Sequence, residues 1–165
     1  MFRKPAGNFL VIAAIAGIGA TALTPAVAAA QERPFLASLT GNAHLSPTDD
    51  PCVLRNDETG EGEATHLGLF TWADTEYADF CEVPDGVAVI ATFTMTAANG
   101  DQLYGVFTSV GYFADAETLV IHGNYEFVGG TGRFADATGS GDIDALAFLA
   151  PGLPFIGTFD GTIDY

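Results

Sequence analysis

Positive charge is scarce in this sequence. The only lysine is Lys4, and the cations beyond residue 30 are Arg33, Arg55 and Arg133. All 21 acidic residues also lie beyond residue 30, so this part of the chain has a net charge of −18. Nucleic acids and anionic lipids are bound by cations that replace counterions. The composition therefore disfavours both partners, and solubility outside the cell is the simplest interpretation of the acidity. Capture of cations or of a basic partner is the alternative.

Cysteine is almost as rare, since Cys52 and Cys81 are the only two. They are 29 residues apart, and the C-x-x-C spacing of a redox-active pair is absent. Two cysteines in an exported chain usually form a disulfide. We therefore predict a structural disulfide, which stabilises the fold by about 3–4 kcal/mol on the chain-entropy estimate.

Long apolar runs are confined to the N-terminus. Arg3 and Lys4 precede an apolar stretch over 9–23, and small residues follow at 26–30. This order predicts a cleaved secretory signal peptide over 1–30, with one β-barrel domain over 31–165. The stretch is shorter than the ~20 residues of a membrane span, so no span is expected after cleavage; an uncleaved anchor is the alternative. The expected location is secreted or periplasmic.

A helical period is also missing beyond residue 30, where apolar and polar residues alternate as in strands. Asn99-Gly100 is a strong hairpin signal, and Pro84-Asp85-Gly86 and Pro151-Gly152 mark further reversals. Eight such runs predict an all-β sandwich or barrel. The runs span 34–42, 64–72, 76–83, 86–98, 102–112, 117–128, 140–149 and 155–164.

One face of these strands alternates large aromatic residues with glycine, while threonine and acidic residues occupy the other. This pattern suits a small barrel, whose strands coil tightly around a narrow lumen, better than a flat sandwich. We therefore predict an eight-stranded antiparallel closed barrel. The lumen would bind a small hydrophobic ligand and be lined by Phe70, Trp72, Phe93, Met95, Phe107, Tyr125, Phe155 and Phe159.

The segment 43–62 is rich in turn-forming and acidic residues and predicts one long loop, held by Cys52. Its acidic residues resemble the oxygen ligands of calcium, but their spacing does not match the twelve-residue calcium loop. A solvated acidic loop is the preferred interpretation, so we expect no metal and no cofactor. The acidic residues in and beside this segment are Asp49, Asp50, Asp57, Glu58, Glu61 and Glu63.

Gly129-Gly130-Thr131-Gly132-Arg133-Phe134, continued by 135–140, resembles the glycine-rich segment of the allene oxide cyclase and dirigent proteins. Weaker likeness lies in 64–68, 97–101 and the N-terminal segment, which are similar to uncharacterised exported bacterial relatives. The resemblance implies an eight-stranded antiparallel barrel with an apolar cavity and commonly a trimeric assembly. It also implies cyclisation or isomerisation of a bound substrate as the type of activity.

The physical role of this segment is structural. Gly129, Gly130 and Gly132 permit a sharp turn before the seventh strand. Phe134 is then expected to cap one end of the barrel, and Arg133 to pair with a carboxylate at the rim. A phosphate-binding loop is improbable, because no helix start and no lysine follow.

His66 and Tyr125 are the candidate catalytic residues. Both have the inward parity, and a histidine and a phenol in an apolar lumen can act as acid, base or orienting donor. The alternative is that both are buried groups with ordinary hydrogen bonds. His122 has the outward parity, and His44 lies in or beside the acidic segment.

Two functions remain open from the sequence. The first is an exported barrel that holds a small hydrophobic ligand and guides a cyclisation or isomerisation, with His66 as its polar group. The second is a non-catalytic interaction module that self-associates, as a trimer or dimer, through its outer face. The outward apolar residues that motivate the second are Ile90, Val106, Val110, Val120 and Ile156.

Overall fold

The computed structural model describes residues 32–165, so the predicted signal peptide over 1–30 lies outside the described residues. The described chain forms eight strands and one short 3₁₀ turn, Gly132–Phe134. The strands are β1 (Arg33–Pro47), β2 (Val53–Ala64), β3 (Gly68–Asp79), β4 (Gly86–Ala97), β5 (Gln102–Phe113), β6 (Thr118–Gly130), β7 (Gly139–Phe148) and β8 (Pro154–Ile163).

Each strand pairs antiparallel with the next, and β8 pairs with β1, so the sheet is a closed barrel. This connectivity confirms the predicted all-β, eight-stranded antiparallel barrel. The closure leaves no free sheet edge among the described strands, which removes a surface that would otherwise pair with other chains.

The prediction of a long loop over 43–62 is wrong. β1 continues to Pro47 and β2 begins at Val53, so the connection between them is short. Segment β2 is poor in β-branched and aromatic residues and contains Gly60 and Gly62, which concealed the strand from a propensity argument. Pairing with β1 on one side and β3 on the other outweighs that weak local preference.

The two runs predicted at 64–72 and 76–83 are also wrong as separate strands. They belong largely to one strand, β3, whose pairing with β4 is continuous from Phe70 to Asp79. Asp74 and Glu76 interrupt the apolar alternation of this strand on its inward face. These two residues therefore look like a strand break in the sequence, although the backbone is regular.

Side-chain parity predicted correctly the inward face of most strands. The eight side chains predicted to line it are all buried, with Met95 and Phe159 almost fully so. Glycine makes room for these aromatic rings: a Cβ on Gly105 would lie 2.1 Å from Cζ of Phe93. The alternation of large aromatic residues with glycine thus reflects the close approach of rings to the facing backbone.

One end of the barrel is closed by the glycine-rich segment. Phe134 is fully buried there, and its ring centroid lies 5.0 Å from that of Tyr165. Arg133 Nε lies 3.7 Å from a carboxylate oxygen of Asp101, as expected for a partner at the rim. Gly132 has a positive φ of 58°, and a Cβ there would lie 1.9 Å from the Asp101 carboxylate. We call this end the closed end.

The opposite end carries the disulfide. Cys52 and Cys81 are bonded, so the predicted pairing is confirmed, and they join the β1–β2 connection to the residues after β3. An intramolecular disulfide is compatible with an oxidising compartment. Among residues 32–165, no helix has the length and apolar character to cross a membrane.

Candidate functional site

Three successive inward-facing pairs between β2 and β3 place polar side chains inside the barrel. Asn56 lies opposite Glu76, Glu58 lies opposite Asp74, and Gly60 lies opposite Trp72. Their parity is that of the buried face, since Asn56 and Asp74 are each only 7% exposed. Like charges directly opposite each other on a sheet are destabilising, so this arrangement opposes folding stability. We call Glu58, Asp74 and Glu76 the carboxyl cluster.

Asn56 and the backbone hold the carboxyl cluster together. The Asn56 amide Nδ2 donates to Oε1 of Glu58 at 2.9 Å and to Oε2 of Glu76 at 2.7 Å. The backbone N–H of Glu58 donates to Oδ1 of Asp74 at 3.2 Å. These hydrogen bonds fix the orientation of all three carboxyl groups, because one amide bridges two of them and the strand backbone holds the third.

Burial raises the pKa of every member of the cluster. The pKa of Asp74 rises to about 10 and that of Glu58 to about 8, in each case mainly through desolvation and secondarily through a neighbouring carboxyl group. Desolvation also raises the pKa of Glu76. A carboxyl group with a raised pKa retains its proton at neutral pH and can donate it, which is the usual property of a general acid.

Some buried polar atoms beside the cluster have no hydrogen-bond partner within residues 32–165. They include Nε1 of Trp72, Oδ2 of Asp74 and Oδ1 of Asn56. Leaving a buried donor or acceptor unpaired costs about 1–3 kcal/mol. The polar groups around the cluster are therefore incompletely satisfied by the protein itself.

A small cavity of about 30 Å³ adjoins the cluster inside the lumen. Glu58, Glu76 and Trp72 contribute its polar side, while Ile121, Phe107 and other apolar residues of β1 and β5 to β8 form the rest. This volume accommodates a water molecule. The aromatic side chains predicted to line a ligand pocket instead pack against one another and fill most of the lumen, with Trp72 stacked on Phe93 at 4.9 Å.

The cavity extends toward the end of the barrel opposite the closed end, since Ala147 and Phe155 line it. Four large apolar residues at that end are 39–48% exposed, although the alternation of the adjoining strands directs them toward the lumen. Leu45 and Phe113 lie near the ends of β1 and β5, and Phe80 and Leu149 follow β3 and β7 directly. We call these four residues the mouth.

His66 does not face the lumen, so that prediction is wrong. It lies in the turn between β2 and β3 with a positive φ of 69°, which ends the strand alternation on which the prediction rested. Its Nε2 is 3.0 Å from the carbonyl oxygen of Pro34, and its Nδ1 is 3.2 Å from the hydroxyl of Tyr165. His66 therefore belongs to the closed end, away from the carboxyl cluster.

Tyr125 is buried in the lumen, as its parity predicted. Phe159 contacts both Tyr125 and Trp72, with ring centroids at 4.9 Å and 5.6 Å, and so lies between Tyr125 and the cluster side of the lumen. Burial, together with Asp160 and Asp142, raises the pKa of the Tyr125 phenol. The structure therefore does not bring the two candidate catalytic residues together.

The other two histidines lie on the outside of the barrel. His122 is exposed, as predicted, and contacts Asp144 across the β6–β7 pair. His44 lies on β1 opposite Asp57 of β2, rather than in a loop. Neither residue reaches the carboxyl cluster, because both have the outward parity.

The interpretation of residues 49–63 as a solvated acidic loop is wrong for Glu58. Asp57, Glu61 and Glu63 point outward from β2, whereas Glu58 points into the lumen. One carboxylate oxygen from each member of the carboxyl cluster lies within 4.8 Å of the others, a spacing that can hold a metal ion. The hydrogen bonds from Asn56 compete with that use of Glu58 and Glu76.

The carboxyl cluster is not among the predicted sites, because the sequence predicts a loop where the structure has β2. A usable signal was present: Asn56-x-Glu58 and Asp74-x-Glu76 each space two polar residues by two, which places both on one face of a strand. Recognising that the two faces meet required the β2–β3 register, which the sequence did not supply.

Comparison with known proteins identifies no family for this chain. A scan against protein-family models gave no match, and a search of curated proteins gave none either.

Proposed function

We propose that this protein is an exported barrel that binds a small hydrophobic ligand in its lumen and acts on it through the carboxyl cluster. The observation that carries the proposal is the asymmetry of the barrel: one end is closed by Phe134, and the other is surrounded by exposed apolar side chains above buried carboxyl groups. Exposed apolar clusters of this kind mark binding sites. The resemblance to allene oxide cyclase and dirigent barrels supports the same proposal.

Entry of the ligand requires side chains to move. The cavity beside the cluster holds about 30 Å³, far below the few hundred Å³ of ordinary ligand pockets. Ile121 and Ala147 line it and are only partly buried, so this side of the lumen is the one that can open toward the mouth. A ligand therefore displaces apolar side chains between the mouth and the cavity.

The carboxyl cluster supplies the chemistry of the proposed reaction. A protonated Glu58 donates a proton or a hydrogen bond to the ligand, since its pKa is raised to about 8. Cyclisation or isomerisation needs a bound substrate held in a reactive conformation, with proton transfer at one or two positions. After it has donated its proton, Glu58 is a carboxylate and takes back the proton that the product releases, so the cluster returns to its starting state.

The proposal is tested with protein purified from its own host. Native mass spectrometry reports any small molecule that co-purifies, and saturation-transfer NMR reports the binding of cyclohexane as a compact apolar probe. Ala145 lines the cavity, so Ala145→Phe fills it. Leu146→Phe introduces the same side chain on the outer face of the same strand and serves as the control.

Three results are decisive for this proposal. Loss of cyclohexane binding in Ala145→Phe, with binding retained in Leu146→Phe, supports a ligand site in the lumen. No co-purified molecule and no probe binding by the native protein would overturn it. Binding that survives Ala145→Phe unchanged would place the ligand elsewhere and contradict the lumen site.

Self-association through the outer face is a second candidate, favoured by one specific observation. An open groove of about 800 Å³ crosses the outer surface of β1 to β3 and β6 to β8. Leu69, Val120, Leu146 and Ile156 contribute apolar surface to it, and Leu69 is 69% exposed. Apolar surface of this extent is common where subunits meet.

Sedimentation velocity at micromolar concentration tests this candidate. Self-association through the groove predicts that Ile156→Asp yields monomers, because a charge at a subunit contact is costly to bury. Val128→Asp, at an exposed position outside the groove, is the control and should leave the assembly intact. A native protein that is strictly monomeric would exclude the candidate.

A further inference from the structure

The indole N–H of Trp72 is the feature that the proposed function does not yet use. Trp72 is 3% exposed, and its Nε1 has no hydrogen-bond partner among the described residues. Buried tryptophan N–H groups usually find an acceptor. The Trp72 side chain lines the cavity beside Glu58, and its interaction with that carboxyl group lowers the pKa of Glu58 without reaching the geometry of a hydrogen bond.

The geometry fixes which partner this N–H can take. Trp72 belongs to the same inward row as Asp74 and Glu76, and its ring is held by stacking on Phe93 at 4.9 Å and by contact with Phe159 at 5.6 Å. The N–H therefore has a fixed direction, and a group that binds beside it must be a hydrogen-bond acceptor.

Glu58 provides a second donor on the same side of the cavity. When protonated, its carboxyl group donates one hydrogen bond. The amide of Asn56 is already occupied, since it donates to both Glu58 and Glu76. Two donors, the Trp72 N–H and the Glu58 O–H, are thus available to one acceptor in the cavity.

We infer that the polar end of the lumen ligand is an uncharged acceptor oxygen, such as a carbonyl oxygen, which accepts hydrogen bonds from Trp72 Nε1 and Glu58. This inference rests on the proposed function, because it names the chemical class of the ligand for that same site. Two converging donors polarise a carbonyl group, which is how electron-rich oxygen is stabilised in apolar sites.

Charged alternatives fit the site less well. An ammonium group has no acceptor lone pair, so it leaves the Trp72 N–H unpaired beside it. A metal ion would have to displace the Asn56 amide from Glu58 and Glu76. A carboxylate ligand would be repelled by any ionised member of the cluster, and among residues 32–165 the three arginines make their polar or cation–π contacts elsewhere.

Three ring compounds of matched size separate these possibilities: cyclohexanone, cyclohexane and cyclohexylamine. NMR titration of protein purified from its host gives their relative affinities, and ¹³C-labelled cyclohexanone reports hydrogen bonding at its carbonyl carbon. We expect cyclohexanone to bind at least about fivefold more tightly than cyclohexane at pH 6. This is the difference in affinity expected when one or two net hydrogen bonds form. Its carbonyl resonance should move downfield on binding.

Substitutions then attribute the effect to individual groups. Trp72→Phe removes the N–H while keeping an aromatic ring, and should weaken cyclohexanone binding about five- to tenfold without changing the affinity for cyclohexane. Glu58→Gln keeps a donor and should retain most of the downfield shift, whereas Glu58→Met should reduce it. Circular dichroism on each variant establishes that the barrel is intact. The carbonyl shift measured with the native protein tests the inference even if a variant does not fold.

The possible results distinguish this inference from the proposed function. If cyclohexane binds but cyclohexanone binds no more tightly, the acceptor-oxygen inference fails while the lumen ligand site stands. Tighter binding of cyclohexylamine would overturn the inference in favour of a cationic ligand. If none of the three compounds binds, the proposed function itself fails.

Discussion

The lumen contains two clusters that meet at Trp72 and differ in almost every physical respect. The aromatic cluster packs rings edge-to-face and stacked, with centroid separations of 4.8–6.3 Å. The carboxyl cluster places three acidic groups within reach of one another and leaves polar atoms beside it unpaired. The aromatic cluster consists of Phe35, Trp72, Phe93, Phe107, Tyr125, Phe127 and Phe159.

This difference shows where the fold gains stability and where it loses it. Burial of each aromatic side chain contributes favourable free energy, in proportion to the apolar area removed from water. Burial of each carboxyl group opposes folding at the pH values where its charged form prevails in the unfolded chain, because desolvation and the neighbouring carboxyl groups disfavour that form in the folded state. Residues that lower the stability of a fold are often part of its functional site, and here they form the carboxyl cluster.

The largest expected effect comes from removing a ring of the aromatic cluster. Phe159 is 1% exposed and contacts Trp72, Phe93 and Tyr125, so Phe159→Ala should lower the free energy of unfolding by about 3–5 kcal/mol. Ile156→Ala, on the exposed face of the same strand, should cost less than about 1 kcal/mol. Urea denaturation measures both, and equal losses would contradict the contrast.

The disulfide should have the next largest effect, at the mouth end of the barrel. Cys52→Ser combined with Cys81→Ser releases a link across 29 residues and should cost about 3–4 kcal/mol. The same loss should appear when the native protein is denatured with and without a reducing agent. An unchanged unfolding midpoint after reduction would show that the strand pairing alone holds this end.

The carboxyl cluster should make stability fall as pH rises. The pKa of Asp74 is about 10 in the folded protein against an ordinary 3.8, so between about pH 4 and pH 10 the unfolded state has lost a proton that the folded state keeps. Stability from this group is therefore complete below about pH 4 and declines through the window, by at most about 1.4 kcal/mol per pH unit for each such proton. Glu58 and Glu76 also raise the pKa of Asp74, and so strengthen this decline of stability with pH.

Denaturation at pH 5, 7 and 9 measures this decline. Asp74→Asn removes the titrating group and should flatten the dependence, while Glu63→Gln on the exposed face of β2 should leave it as in the native protein. Parallel pH dependences for the native protein and Asp74→Asn would exclude a strongly raised pKa at Asp74.

The smallest expected effect concerns the closed end. Gly132→Ala introduces a Cβ against the Asp101 carboxylate at a positive φ, whereas Gly68→Ala meets nothing within 4 Å at a similar φ. Both substitutions should lower the free energy of unfolding by about 1–2 kcal/mol, because a residue with a Cβ is disfavoured in the left-handed region. Gly132→Ala should lower it further because Asp101 must move. Thermal denaturation compares the two, and an equal loss would mean that Asp101 adjusts freely.

The aromatic cluster was predictable from the sequence and the carboxyl cluster was not. Alternation along single strands directs Phe93, Phe107 and Phe159 inward, and that information is local. The pairing of Glu58 with Asp74 depends on the register of two strands, one of which was predicted to be a loop. The prediction that His66 faces the lumen was wrong because it assumed that the strand alternation continues through this residue, whereas a turn ends the alternation there.

The sequence by itself determined the all-β class, the inward face of most strands, the disulfide and the closing role of Phe134. These follow from side-chain period, composition and turn chemistry, which act over a few residues. Only the tertiary structure decided that β2 is a strand and that its acidic residues divide between lumen and solvent. Pairing with both neighbours compensates for weak local propensity, and it is this pairing that brings three carboxyl groups from two strands together.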